Sequence, residues 1–93
     1  MVVMILENTP PNLRGQLTRW MIEPRAGVFV GKMSAMVRDR LWEKVIRHKR
    51  TGGCIQIYPA ANEQGFSIRA EGDTSRTLVD FEGLTLVARR KTL

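Results

Sequence analysis

The residues from Glu7 to Trp20 bring together the side chains of this chain best suited to handling a metal ion or a phosphate. An apolar run, Met1 to Leu6, leads directly into the carboxylate of Glu7. Pro10-Pro11 then turns the chain into an amphipathic segment carrying Arg14 and Arg19. An acid, a helix N-terminus and basic side chains thus fall close together. A strand-end carboxylate can hold Mg²⁺, which takes one or two protein carboxylates plus phosphate oxygens. Arginine forks match phosphate geometry.

Other chemistries are thinly supplied. Cys54 is the single cysteine, which excludes an internal disulfide and a cysteine metal cluster within one chain. His48 is the single histidine, so a zinc site or a histidine-based triad is not expected. Fifteen Lys and Arg stand against nine Asp and Glu, a net charge of +6, and a small basic domain attracts polyanions. The first six residues are apolar, but no basic stretch precedes them. The run is also too short for a signal peptide or a membrane span. A cytoplasmic location with no membrane partner is the expectation.

The elements that must position these groups can be read from periodicity. Ninety-three residues make one domain, 1–93, near the lower end of what folds alone. Met1 to Leu6 reads as a buried strand. Thr9 is placed to cap a first helix, with Pro10 or Pro11 in its first turn. Leu13, Leu17, Trp20 and Met21 recur at helical spacing, and Pro24 ends the helix. Gly15 inside it costs about 1 kcal/mol relative to alanine, which predicts that another element or a ligand approaches the backbone there. Gly27 to Gly31 is a short strand. Ser34 caps a second helix running to about Arg50, with an apolar stripe of Val37, Leu41 and Val45 widened by Met36, Trp42 and Ile46. Trp20 and Trp42 are expected in the core.

Cys54 to Tyr58 is a further strand, with Cys54 a buried thiol. Asn62 to Gly65 is a turn, and Phe66 to Ala70 an alternating strand. Glu71 to Thr77 reads as a polar loop. Leu84 to Ala88 is a last strand, followed by Arg89-Arg90-Lys91, expected to be a solvated terminus. Two helices between strands in so small a domain imply an α+β class, a ferredoxin-like sandwich with both helices on one face of the sheet. The uncovered face favours a second copy. Residues from about 78 to 93 would be an extra C-terminal strand and tail, able to pair with a neighbouring subunit.

The chain resembles a CRISPR-associated protein of the Cas-two family, in its subtype I-E branch. The resemblance rests on Glu7-Asn8-Thr9-Pro10-Pro11-Asn12-Leu13-Arg14-Gly15, on Arg25-Ala26-Gly27-Val28-Phe29-Val30-Gly31, on Arg38 with Leu41-Trp42-Glu43, on Gly65-Phe66, and on Val79-Asp80-Phe81-Glu82-Gly83-Leu84-Thr85-Leu86-Val87. It implies a ferredoxin-like homodimer working in CRISPR adaptation, an antiviral defence that captures foreign DNA as spacers. The dimer would bridge the Cas-one integrase and support the middle of a DNA duplex, with integration chemistry left to that partner. Other branches resemble Mg²⁺-dependent endonucleases with a carboxylate after the first strand. Glu7 takes that position and is the candidate catalytic and metal residue. The alternative reading makes it a strand-end acid favoured by the nearby helix dipole.

Arg14 matches a DNA-facing position of the family's first helix, and Arg76 matches a second one. Asn12 and Ser75 stand where relatives can carry further arginines, so both contacts are thinner here. Arg19 and Arg38 are additional DNA-binding candidates. Asp80 and Glu82 lie in the segment with which the family docks its integrase.

Overall fold

The structure is a computed structural model and describes residues 1–48, 52–72, 76–81 and 84–89. Its elements are β1 (Val2–Leu6), α1 (Pro11–Leu17), β2 (Ile22–Arg25), β3 (Val28–Gly31), α2 (Ala35–His48), β4 (Cys54–Pro59), β5 (Phe66–Glu71), β6 (Arg76–Phe81) and β7 (Leu84–Arg89). The first five strands form one antiparallel sheet in the order β2-β3-β1-β4-β5, and β6-β7 form a separate two-stranded ladder. Taken alone, β1-α1-β2-β3-α2-β4 is a ferredoxin-like unit, with α1 and α2 as the crossovers and β5 added at the β4 edge.

Alternation along the strands divides the sheet into two faces. Val2, Met4 and Leu6 of β1, Phe29 of β3 and Cys54 of β4 are buried on one face. Leu13 and Leu17 of α1, Met21, and Leu41, Trp42 and Val45 of α2 complete this core. Each fully buried side chain of this size contributes roughly 1.5–3 kcal/mol relative to exposure. The register pairs Val3 with Val30 and Ile57, Ile5 with Val28 and Ile55, and Ile57 with Ile68. Cross-strand partners share a face, so the second face is also apolar. Ile5 and Ile22 are exposed on it.

One polar side chain is fully enclosed on the helix face. Gln56 donates through Nε2 to the Arg38 carbonyl at 3.1 Å and accepts from Arg69 Nε at 2.8 Å. Both ends of its amide are thereby satisfied, which a buried polar group requires. Arg69 Nη2 continues to Asp39 Oδ1 at 2.9 Å, and Arg38 Nε reaches the same oxygen at 3.1 Å. The Arg38 guanidinium stacks 4.0 Å from the Tyr58 ring centroid. This cluster fastens α2 to β4 and β5.

Several sequence expectations need correction. Helix α1 ends at Leu17, well before Pro24. The Thr18 hydroxyl donates back to the carbonyls of Arg14 at 3.0 Å and Gly15 at 3.2 Å, closing the helix end. Pro24 instead sits in β2, an edge strand, where a missing donor is tolerated. Pro10, not Thr9, occupies the cap position, and no side chain caps the helix. A residue before proline is pushed to extended backbone, so Pro10, at ψ 147°, stays extended and the helix opens at Pro11. Thr9 Oγ1 is left buried without a partner among the described residues.

Trp20 is 51% exposed, while Trp42 at 8% is a core residue as expected. Met36 and Ile46 are exposed as well, which narrows the stripe of α2. A Cβ at Gly15 would meet nothing within 4 Å, so no other element approaches the backbone there. Arg76 and Thr77, read as loop, open β6, a strand that the sequence reading missed. The last strand pairs with β6 of its own chain.

The start of α2 and the turn before β5 follow expectation, while the expected helix end near Arg50 lies outside the described residues. Ser34 Oγ accepts from the Val37 N–H at 3.3 Å, which caps α2. The Gly65 N–H donates to Asn62 Oδ1 at 2.8 Å within the predicted turn, where Gly65 has a φ of +81°. Arg90 and Lys91 of the basic tail lie outside the described residues.

Candidate nucleic-acid interface

The acid and the arginine of the opening stretch lie at connected points of one sheet end. β1 stops at Leu6, whose N–H donates to the Gly27 carbonyl at 2.8 Å in the turn between β2 and β3. The next N–H, of Glu7, donates to the Gly53 carbonyl at 3.0 Å in the loop before β4. Glycine is required at both flanks. A Cβ on Gly27, at φ +80°, would strike the Leu6 carbonyl oxygen, and one on Gly52, at φ +89°, would lie 2.8 Å from Glu7 Cβ. Asn8 turns the chain away with a φ of +57°, the left-handed region that asparagine tolerates.

Glu23 of β2 ties this corner to α1. Its carboxylate accepts the Gly27 N–H at 2.9 Å and pairs with Arg14 Nε at 3.1 Å. The Glu23 side chain is 17% exposed and that of Arg14 43%. A partly buried acid thus anchors an arginine that still faces solvent. Sequence reading found Arg14 and missed Glu23, because the pair is nine residues apart and joins a helix to an edge strand.

The other expected site residues fall elsewhere. Glu7 is exposed. Among the described residues no group of three or more His, Cys, Asp or Glu comes together. Mg²⁺ takes one or two protein carboxylates with phosphate oxygens and water, and among the described residues Glu7 offers it one carboxylate with no such group of ligands beside it.

Arg19 is exposed beside Trp20 and lines a surface depression with Lys32. Arg38 is committed to the Asp39 and Tyr58 cluster, and its side chain is 17% exposed. Arg38 and Arg69 donate hydrogen bonds that hold the Asp39 carboxyl below the usual carboxylate range. The backbone register of the β6-β7 ladder sets Arg76 opposite Arg89 and Asp80 opposite Thr85. Glu82 and Ser75 lie outside the described residues. No described helix is long and apolar enough to cross a membrane.

An acid after the first strand, an arginine on the first helix and a ferredoxin-like sheet are what the sequence resemblance implied. Residues 1–86 match a family model described as CRISPR-associated protein (Cas_Cas2CT1978). The chain belongs to this family.

For a CRISPR-associated protein of the Cas2 type, the matched span runs from the first strand into β7. It takes in the Glu7 corner, the Arg14–Glu23 pair and most of the β6-β7 ladder. The fold and the family therefore agree over nearly the whole chain of this CRISPR-associated protein.

Proposed function

We propose that this protein is a non-catalytic, DNA-supporting subunit of subtype I-E CRISPR adaptation. It works as a homodimer that lies along the phosphate backbone of a duplex and docks the Cas-one integrase, which performs the chemistry. The observation that carries this reading is Arg14. Glu23 fixes one edge of its guanidinium while 43% of the side chain stays open to solvent. A held arginine loses less side-chain freedom when it meets a phosphate. The net charge of +6 supplies the long-range attraction.

Two further features support the assembly. The second face of the sheet carries Val3, Ile5, Val28, Val30, Ile55, Ile57 and Ile68, and a small domain gains stability by covering such a face with a second copy. The β6-β7 ladder lies outside the hydrogen bonding of the main sheet, so it is available to a partner. It contains Asp80, and Glu82 follows in its connection. Acidic side chains there would suit a basic partner surface.

Backbone contacts carry little sequence information, so binding is nearly sequence-independent and salt-sensitive. The test is duplex binding by the reconstituted complex with Arg14→Ala and Arg76→Ala together. Removing one phosphate contact from each residue lowers the log–log salt slope by about 1.8 per protomer. An unchanged slope and affinity would rule out this use of the two arginines.

A further inference from the structure

Trp20 is a core position by spacing and a surface residue in fact. Its neighbours explain how it is held there. Leu17 and Met21 on either side are buried, and the N–H groups of Trp20 and Met21 both donate to the Leu17 carbonyl at 3.0 Å. The Trp20 carbonyl lies against β3, where a Cβ on Gly31 would come within 2.6 Å of it. The backbone is therefore fixed while the indole stands outward. Trp20 shares one surface depression with the exposed Met1 and Ile22, and an exposed apolar cluster of this kind marks a contact made outside the chain.

Two cations stand beside the ring on each side, at the borders of mainly apolar depressions. A depression of about 460 Å³ on one side is lined by Trp20 with Arg19 and Lys32. A second, of about 240 Å³, is lined by Trp20 with Arg40, Lys44 and Leu41. All four cations are exposed. No Asp or Glu lines either depression among the described residues. The ion pairs found among those residues use Arg14, Arg38 and Arg69, and none of these four.

We propose that Trp20 and its flanking cations form a binding site for a single-stranded polynucleotide, with a base stacked on the indole and phosphates on Arg19/Lys32 and Arg40/Lys44. An aromatic platform within a positive groove is the arrangement that takes single strands. A duplex keeps its base faces stacked inside and cannot offer one to Trp20. An acidic peptide could satisfy the cations but has no need of a ring set between two basic pairs. Neither Arg14 nor Glu23 lines either depression.

The test uses the full chain and a labelled oligothymidylate of about 15 nucleotides, a length that a small site of this kind can engage. An abasic oligomer of equal length is the control. Stacking on one aromatic residue contributes about 1–3 kcal/mol. Trp20→Ala should therefore weaken oligothymidylate binding by about fivefold to 150-fold, and Trp20→Phe should retain most of it. Duplex affinity should not change in either variant. Arg40→Gln with Lys44→Gln should lower the salt slope by about 1.4. In the unaltered chain, oligothymidylate should quench the exposed indole and the abasic oligomer should not, which reads the contact without any substitution. Equal binding of the two oligomers, or unchanged affinity in Trp20→Ala, would overturn the site. So would a polyglutamate that binds as tightly and loses as much affinity in Trp20→Ala, since the surface would then be one for acidic protein.

Discussion

Glu23 holds Arg14 from β2, its carboxylate 3.1 Å from the Arg14 Nε, while the same carboxylate accepts the buried Gly27 N–H at 2.9 Å. The two partners therefore have unequal structural roles. Glu23→Ala leaves a buried donor unpaired and should cost about 1–3 kcal/mol in urea unfolding. Arg14→Ala removes a pair that is half open to water and should cost under about 1 kcal/mol. The order should invert for duplex affinity, where Arg14→Ala is the damaging change. Equal losses of stability would mean that the Gly27 contact is not what Glu23 supports.

Thr9 carries a buried hydroxyl with no partner among the described residues. Thr9→Val replaces it by a methyl of similar shape. The variant should be more stable by about 1 kcal/mol, because an unsatisfied buried polar group is removed. A rise in the urea midpoint without a change in slope is the expected result. A loss would show that the hydroxyl is hydrogen-bonded in solution.

Gly15 lies in α1 with open space where a Cβ would stand. Gly15→Ala should stabilise the free protein by roughly 0.5–1 kcal/mol, the difference in helix propensity. Thermal unfolding reads this directly. The same variant measured for duplex affinity separates a glycine kept for ligand approach, which would bind more weakly, from one with no such role.

Asp39 links α2 to β5 through Arg69 and also takes the Arg38 hydrogen bond, and both interactions depress its pKa. A depressed carboxylate stabilises the fold above its unfolded pKa, and that contribution fades as pH falls through the folded value. Asp39→Asn should therefore be less stable than the parent at neutral pH. The gap should close on acidification below the ordinary carboxylate range. Unfolding curves taken from neutral to acidic pH would test this, and a pH-independent gap would assign the effect to packing.

The strongest periodic signals in the sequence correspond to observed elements. The run Val2 to Leu6, the stripe Leu41-Trp42-Val45 with its Ser34 cap, and the Asn62–Gly65 turn could all be read directly. The stretch from Thr18 to Arg25 misled. Leu17, Trp20 and Met21 keep helical spacing by coincidence, and Pro24 looks like a stop for a helix that Thr18 has already closed. Only Met21 of the last two aromatic or apolar positions is buried, because the chain is turning there into β2. β6 was hidden because Arg76-Thr77 continues a polar stretch and Asp80 cuts the apolar run at Leu78-Val79. The site was half legible. Charge and resemblance pointed to Arg14, whereas Glu23, Asp39 and Arg69 matter through contacts that close only when distant elements pack.

The two borders of the main sheet differ in a way that gives the molecule a direction of growth. β2 carries Pro24 and a register shift between Ile22 and Arg25, so it presents a broken row of donors. β5, at the opposite border, pairs continuously with β4 from Phe66 to Glu71. A strand seeking to extend the sheet meets a template at β5 and an obstacle at β2. Any lengthening of the sheet by another chain is thus one-sided, which favours a closed pair of subunits over an open-ended stack.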